Sequence, residues 1–405
     1  MNLLISWRNI WRNPRRTIVI VIAVIIGAWS MLFFGAFARG IINSMLANAL
    51  NTLTGHIQIQ QQGFRDDPVV ENRLHAPEQI AALLKKQLPA SAQYARRIEV
   101  NGIASNAYNS EAVSIIGIEP DKEAKLSFYG GTTEEGKLLE TGDMHSIVIG
   151  RGLVESLETR LGRKLVLMTQ NASGKTSSRA FRIKGIYRAE LEATEKRYAF
   201  ISLSAARALL EAEGAVTNFC IKLEDIEQVP ATHAALTPDL PAGATILTWE
   251  DMLPLLIGYL GIFNIFIILW YIVVFVAMSF GLVNTTLMAV MERIREFGLL
   301  KALGMKPFWI VRGVLTECVI LLLIGLTLGD LLGLATVMSL QGGIDISFLA
   351  EGTEYFGFAN IIVPTLSLRD FYIINGIILI LGILVCLYPA IKAARITPIE
   401  AMAQT

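Results

Sequence analysis

The feature that most constrains this chain is a run of forty residues, 252–291, that carries no charged side chain. An α-helix rises about 1.5 Å per residue, so this run would extend about 60 Å, roughly twice the hydrocarbon core of a bilayer. One end of the helix must therefore project beyond the membrane. At the other end the sequence changes abruptly to a charged segment with two glycines, residues 292–305. This pattern is typical of a membrane helix that links something outside the membrane to something inside it.

The composition favours an integral membrane protein. Of the 405 residues, 53% are hydrophobic and only 17% are charged, which is below the charged share of soluble domains. Four apolar spans are each long enough to cross a bilayer as a helix: residues 17–38, 255–291, 313–341 and 371–391. The net charge is zero, so composition gives no general case for nucleic-acid binding.

The placement of basic residues predicts the orientation of these spans. Basic residues precede the first span, lie between the second and third, and follow the fourth, whereas the loop over residues 342–370 is acidic. Short basic loops stay in the cytoplasm, so we predict that both termini are cytoplasmic. A cleaved signal peptide is the alternative at the N-terminus, because Ala36-Phe37-Ala38 resembles a cleavage site. The apolar run is longer than a signal peptide needs and Arg39 follows at once.

The region between the first two spans changes from helical to strand periodicity. Apolar residues at helical spacing predict that the first span continues outward as a stalk beside the long start of the second span; they are Ile42, Leu46, Ala49, Leu50 and Leu53. An ordinary surface helix is the alternative. Beyond Thr54, alternation predicts strands at 57–60, 113–118 and 181–187, and helices are predicted at 77–88 and 202–213. The predicted fold class is an α-helical membrane protein with four transmembrane helices and a large α+β extracytoplasmic domain between helices 1 and 2.

The predicted segments divide the whole chain. They are a cytoplasmic amphipathic entry helix (1–16), transmembrane helix 1 with its stalk (17–54), the extracytoplasmic domain (55–249), a stalk with transmembrane helix 2 (250–291), a cytoplasmic coupling helix (292–308), transmembrane helix 3 (309–341), an extracytoplasmic loop (342–370), transmembrane helix 4 (371–391) and a cytoplasmic tail (392–405).

Patterns that would carry catalysis or metal binding are weak. The histidines show no ligand spacing: His56, His75, His145 and His233. Gly174-Lys175-Thr176 is similar to the end of a phosphate-binding loop, but Thr169 stands where that motif needs its first glycine, and nearby serines indicate a polar hairpin tip. We expect no catalytic residue, no metal and no cofactor in this chain, and we interpret its three cysteines as buried thiols.

The charged segment after the long run is the strongest local signal. Arg293, Glu296 and Leu300 fall near one helical face, whereas Gly298 and Gly304 can admit close approach or end a helix. These features favour a short docking helix on the cytoplasmic side. A basic loop held by anionic headgroups is the alternative.

The third span holds two further sets of residues. Gly325, Gly329 and Gly333 recur every four residues, so they lie on one face where another helix can approach closely, although glycine is common in membrane helices. The acids Glu317 and Asp330 suggest a proton relay or ion site. Both lie near the ends of the span, so structural pairing or exposure at the interface is favoured.

Three stretches of sequence carry a family resemblance. Residues 291–305, followed by Glu317 and the repeat at Gly325, resemble the permease signature of the FtsX/MacB superfamily of ABC transporters. Residues 388–401 and 7–16 are similar to the ending and the entry helix of that family. Gly55-His56-Ile57-Gln58-Ile59 resembles the start of the external domain in the lipoprotein-releasing LolC/LolE branch.

The resemblance implies a MacB-like, type VII ABC permease without catalytic activity of its own. It implies a separate ATPase subunit in two copies that binds ATP and Mg, and a second permease copy, identical or paralogous. In MacB itself the ATPase is fused to the permease. Residues 292–308 would then be the coupling helix that docks on the ATPase, and we assign that role to Arg293, Glu296, Phe297, Gly298, Lys301, Leu303 and Gly304.

The predicted function is mechanical transmission across a bacterial inner membrane. ATP-driven movement of the ATPases would reach the periplasmic domain and release lipoproteins toward the outer membrane, with membrane lipid and a possible periplasmic carrier or adaptor as further partners. Two alternatives stay open. One is efflux of an amphipathic drug or peptide through a periplasmic adaptor, and the other is FtsX-like regulation of a cell-wall enzyme.

Overall fold

A computed structural model of the chain describes residues 3–189, 191–346 and 361–397. These residues form two compact units. The helical unit comprises residues 3–43, 259–346 and 361–397, and the sheet unit comprises residues 44–189 and 191–258.

The elements follow in chain order. The α-helices are α1 (Leu3–Ile10), α2 (Pro14–Ala49), α3 (Pro77–Gln87), α4 (Pro120–Leu126), α5 (Arg151–Ser156), α6 (Glu192–Arg197), α7 (Leu203–Leu209), α8 (Val229–Leu236), α9 (Trp249–Met252), α10 (Pro254–Glu292), α11 (Ile294–Ala302), α12 (Pro307–Ser339) and α13 (Leu368–Arg395). The strands are β1 (Ile57–Gln61), β2 (Gln93–Ser105), β3 (Ser110–Ile118), β4 (Thr133–Gly136), β5 (Ser146–Gly150), β6 (Lys164–Gln170), β7 (Thr176–Tyr187), β8 (Tyr198–Ser202), β9 (Asn218–Lys222), β10 (Ala244–Thr248), β11 (Ile344–Asp345) and β12 (Ile361–Ile362). A π-helical turn, Leu50–Thr54, follows α2, and short 3-10 helices span Val70–Asn72, Phe128–Gly130, Ile226–Gln228 and Thr237–Asp239.

Within the described residues, four helices are long and apolar enough to cross a membrane: α2, α10, α12 and α13. Residues 254–291 of the charge-free run belong to one uninterrupted helix, α10. Two prolines set boundaries that differ from the predicted segments. The entry helix predicted over residues 1–16 ends at Ile10, and α2 begins at Pro14. Pro307 is likewise the first residue of α12, because a proline lacks the N–H that the first helical turn leaves unused.

The glycine face of α12 packs against α2. A Cβ atom added at Gly325 would lie 2.6 Å from Val24 Cβ, and one added at Gly329 would lie 2.8 Å from Ala28 Cβ. Gly333 approaches Leu32 in the same way, one turn further along both helices. The matching increments of four residues show that α2 and α12 run parallel in close contact. The predicted packing face therefore contacts a helix of the same chain.

Helix α10 also contacts α2, but in the antiparallel direction. Gly27 lies against Met278, and the rings of Phe34 and Trp270 lie 4.8 Å apart between centroids. The start of α10 differs from the predicted stalk pair. Leu255 is 78% exposed, so this end of the helix presents an apolar surface instead of packing along the end of α2.

The sheet unit is built on one mixed sheet of ten strands, within the part of the chain that the structure describes. The strand order is β10-β1-β9-β2-β3-β8-β5-β7-β4, and β6 pairs with β2 and β7. The pairs β3–β8 and β5–β7 are parallel, and the other pairs are antiparallel. The Gly174 segment is the tip of the β6–β7 hairpin, where Gln170 pairs with Thr176.

Local sequence explains several ends in this unit. The Ser202 hydroxyl accepts a hydrogen bond from the Ala205 N–H and caps α7, which ends at Leu209, earlier than the predicted helix over 202–213. Thr248 and Asp251 form a capping box that begins α9. Ile57 pairs with Thr248 across β1 and β10, so the chain enters and leaves the sheet at neighbouring positions.

The glycine contact between α2 and α12 gives a direct test. In Gly329→Leu, the new side chain would overlap Ala28 and the main chain at Ile25, so we expect a loss of about 1–3 kcal/mol of stability. Gly376→Leu on α13 is the matched control, because no atom lies within 4 Å of a Cβ added there. Thermal unfolding of the purified chain in detergent measures both. Equal midpoints for the two variants would contradict the packing.

Candidate functional site

The predicted coupling segment is a short helix between two membrane-length helices. Helix α10 ends at Glu292, the chain turns at Arg293, and α11 begins at Ile294. The far end of α11 is closed by Gly304, which has a φ of +88° and donates its N–H to the Lys301 carbonyl at 2.9 Å. A side chain is strongly disfavoured at such an angle, which explains the glycine at this helix end.

One side of α11 is attached to the rest of the helical unit. Phe297 is 5% exposed and packs in the same apolar cluster as Ile310 and Val314 of α12, and Gly298 beside it is also buried. Lys301 donates from Nζ to the carbonyl oxygens of Ala394 and Ile396 at 2.8 and 2.7 Å. A lysine at the end of α13 also complements the partial negative charge of that helix terminus.

A group of charged side chains holds the α10–α11 corner. Arg293 donates to both carboxylate oxygens of Glu317, at 2.9 and 3.1 Å, and to Glu296 at 2.9 Å. Asn9 of α1 also donates to Glu317 at 2.9 Å. Burial opposes ionisation of Glu296, but hydrogen bonds from Arg293 and Arg12 lower the pKa of its carboxyl group overall. The contacts with Arg293 and Asn9 make Glu317 an ion-pair partner and a hydrogen-bond acceptor.

The entry segment contributes charged residues that were not predicted for this site. Arg12 pairs with Glu296 at 2.6 Å, and Arg16 pairs with Glu292 at 2.9 Å. Asn13 donates to the same Glu292 carboxylate at 2.6 Å. The signal available in the sequence was the complementary charge of two distant motifs, the basic residues 8–16 and the acidic pair in residues 292–296.

The opposite side of α11 is apolar and exposed. Leu299 is 64% exposed and Leu303 is 76% exposed, and Phe308 at the start of α12 is 66% exposed. Next to them lies a cavity of about 470 Å³ whose apolar wall includes Leu300 and Met305. An apolar ridge beside a cavity with a charged edge is suited to contact a folded protein.

The structure thus divides the predicted coupling residues into two groups. Arg293, Phe297, Gly298 and Lys301 face the other helices and fix the position of α11. Leu303 and Gly304 lie on the exposed side, where a partner can reach them. Glu296 is at the edge between the two groups, with a half-exposed side chain.

The second intramembrane acid lies apart from this site. Asp330 accepts a hydrogen bond from Asn375 of α13 at 3.2 Å. Arg39 and Asp370 form a bidentate ion pair at 2.7 and 3.0 Å. Within residues 3–189, 191–346 and 361–397, no cluster of three or more His, Cys, Asp or Glu side chains is arranged to hold a metal ion.

Comparison with known proteins matches both units. Residues 17–239 match the MacB-like periplasmic core domain, and residues 267–398 match the FtsX-like permease C-terminal region.

Named relatives of two kinds are similar to this chain. The lipoprotein-releasing system transmembrane protein LolC of Neisseria meningitidis serogroup B is 25% identical over 78% of this chain and 79% of LolC. LolE of Haemophilus influenzae is 20% identical over 98% of each chain. The macrolide export ATP-binding/permease protein MacB of Escherichia coli K12 is 23% identical over 99% of this chain but only 60% of MacB.

The periplasmic core match alone spans more than half of the chain, and the FtsX-like match covers most of the remaining helices. This protein therefore belongs to the family of ABC transporter permeases that combine a MacB-like periplasmic core domain with an FtsX-like permease C-terminal region.

Proposed function

We propose that this chain is a permease subunit that converts ATP hydrolysis by a separate ATPase into movement of an extracytoplasmic sheet unit. The observation that carries the proposal is the two-sided α11. Its inner side is attached to α12 and α13 through Phe297 and Lys301, while Leu299 and Leu303 remain exposed. A helix held in this way passes a push on its outer side to the membrane helices.

The charge distribution supports the orientation that this function needs. The basic residues of α1, α11 and the end of α13 favour a cytoplasmic location for all three. Similarity to the bacterial transmembrane proteins LolC and LolE supports the inner membrane of a bacterium as the location. Because α2 crosses the bilayer once, the chain that follows it lies on the periplasmic side. In this proposal ATP and Mg bind to two copies of the partner ATPase, and no residue of the permease chain takes part in hydrolysis.

The proposed transmission path runs through side-chain contacts of the helical unit. Movement of α11 reaches α12 through the Arg293–Glu317 pair and reaches the start of α2 through Arg12 and Glu296. Helix α10 leaves the same corner and continues without a break for 39 residues. Its exposed apolar side chains nearer the corner, including Ile272 and Val276, face lipid or a second permease copy, identical or paralogous.

Lipoprotein release toward the outer membrane is the substrate class that we propose. It is supported by similarity to LolC and LolE, which are named for lipoprotein release. Similarity to MacB over 99% of this chain favours a second candidate, efflux of an amphipathic compound. A periplasmic carrier fits the first function and a periplasmic adaptor fits the second.

A single charged substitution tests whether the ATPase docks on the exposed side of α11. In Leu303→Glu, a carboxylate would have to lose water on docking, so we expect recovery of the ATPase with affinity-tagged permease to fall about tenfold. ATP turnover of the recovered complex should fall in parallel. Leu161→Glu in the sheet unit is the matched control, because Leu161 is also an exposed leucine. Unchanged recovery of the ATPase with Leu303→Glu would contradict docking on this side.

The substrate class can be identified from the molecules that purify with the complex. We expect mass spectrometry of the permease and ATPase, isolated from native membranes without ATP, to detect acylated lipoprotein. The bound lipoprotein should decrease after addition of ATP and Mg, because release consumes ATP. A bound amphipathic small molecule with no lipoprotein would instead support efflux. A cell-wall enzyme that stays bound through ATP turnover would support regulation, and either result would contradict lipoprotein release.

A further inference from the structure

The end of α2 enters the sheet unit through a strained backbone. The helix stops at Ala49, and the π-helical turn that follows places Leu53 at a φ of +63°. Gly55 also has a positive φ, +65°, before β1 begins at Ile57. Leucine rarely adopts this conformation, so surrounding contacts must stabilise it. The last carbonyl groups of the helix also need hydrogen-bond donors from outside the helix.

Side chains from the sheet supply those donors. Gln58 donates from Nε2 to the carbonyl oxygens of Leu53 and Thr54, at 3.1 and 2.9 Å. Arg97 donates from Nη1 to the same Leu53 carbonyl. The buried Cys220 thiol lies 3.9 Å from Leu53 O and 3.7 Å from Thr54 O. The strained turn is therefore held on the sheet by three residues from three strands.

Arg97 is the strongest of these contacts because it is buried and charged. It is 1% exposed in the middle of β2, between β9 and β3. Its Nε and Nη2 atoms donate to the two carboxylate oxygens of Glu123 at 2.8 and 2.6 Å, and Glu123 of α4 is fully buried. Burial alone would lower the pKa of Arg97, but the negative charge around it raises the pKa overall, so the guanidinium stays charged.

Stability alone gives a weak reason for this arrangement. A buried ion pair loses so much hydration that apolar side chains of similar size are often equally stabilising. An apolar pair, however, offers no donor to the Leu53 carbonyl. The planar guanidinium binds Glu123 with one edge and keeps another N–H directed at the helix end, a geometry that lysine does not reproduce.

A second arginine of the sheet unit holds the chain just before α10. Arg65 donates to the carbonyl oxygens of Asp251 and Met252 at 2.6 Å each. Because β1 pairs with β10, both chain connections leave the same end of the sheet. Arg65 lies at the surface, where water competes for its hydrogen bonds, so the buried Arg97 is the stiffer attachment.

We propose that Arg97 is the positioning residue that locks the end of α2 to the sheet. Movement of the helix then rotates the whole sheet unit, because the chain cannot rotate about Leu53. The inference rests on the proposed function for its consequence, which is coupling. The lock itself is a property of residues 44–258 and is measurable without transport.

The first experiment measures the lock. Spin labels attached through Ala47→Cys and Tyr108→Cys lie on exposed positions of α2 and of the β2–β3 hairpin, while the three native cysteines are buried. In the full permease–ATPase complex we expect one narrow distance distribution. We expect a broad distribution when Arg97→Met and Glu123→Leu are added together, and an equally narrow one would overturn the proposal.

The second experiment measures coupling in vesicles that contain a synthetic triacylated lipopeptide. We expect the double variant to keep its thermal midpoint within about 4 °C, because the apolar pair replaces the ion pair. ATP turnover should persist while release of lipopeptide falls about tenfold. Arg96→Met is the matched control: it removes the neighbouring arginine, whose partner Glu78 is on the surface away from the helix end. Unchanged release with the double variant would overturn the role in coupling.

The two experiments separate the two claims. One result would be a broadened distance distribution in the double variant with no ATP-driven release even from the wild-type complex. It would support the claim that Arg97 locks the helix end and contradict the proposed function. If the double variant unfolds, Arg97→Lys keeps the test in use, because it keeps the positive charge beside Glu123 but lacks the planar N–H groups that bind Glu123 and the Leu53 carbonyl together. A narrow distribution and full release in that variant would then overturn the proposal.

Discussion

The close approach of α2 to α12 is the contact on which the helical unit depends. Lipid tails are as apolar as leucine, so helices in a bilayer are held together by packing and hydrogen bonds rather than by exclusion of water. Three glycines on α12 let its main chain approach Val24, Ala28 and Leu32. Helix α2 contacts α10 as well, which makes it the central helix of this unit.

The two ends of α2 are held by arginine contacts of different strength. Just before its start, Arg12 pairs with Glu296, and both side chains are half exposed. In its first turn, Arg16 pairs with Glu292, whose side chain is 43% exposed. Pairs that water reaches contribute little to stability. At its other end, Arg97 and Glu123 form a fully buried pair, and Arg97 also donates a hydrogen bond to the Leu53 carbonyl. An exposed pair rearranges at low cost, whereas removal of one partner from a buried pair leaves an uncompensated charge. The helix is therefore adaptable beside α11 and stiff where it enters the sheet.

Part of the candidate site follows from the sequence, and part does not. The change from a charge-free run to a segment with two glycines predicts a short helix, and α11 occupies residues within it. The sequence does not separate Phe297, which is buried, from Leu303, which is exposed, because both are apolar residues of one short segment. The contribution of Arg12 is also hidden, since its partner Glu296 is 284 residues away. Arg97 stands beside another arginine, Arg96, and only the pleat of β2 directs one inward and the other to the surface.

By itself the sequence determined the properties that depend on neighbouring residues. These are the four apolar helices, the alternation that marks β1, β3 and β7, and the glycine spacing that creates one smooth face on α12. The tertiary structure alone decided which surfaces meet: the glycine face contacts α2, and Arg97 contacts Leu53. The physical reason is that periodicity is fixed by the geometry of a single helix or strand, whereas a contact depends on which distant segments supply a complementary shape or charge. The strained backbone at Leu53 could not be predicted from the local sequence for the same reason. A positive φ at leucine persists only where other parts of the fold stabilise it.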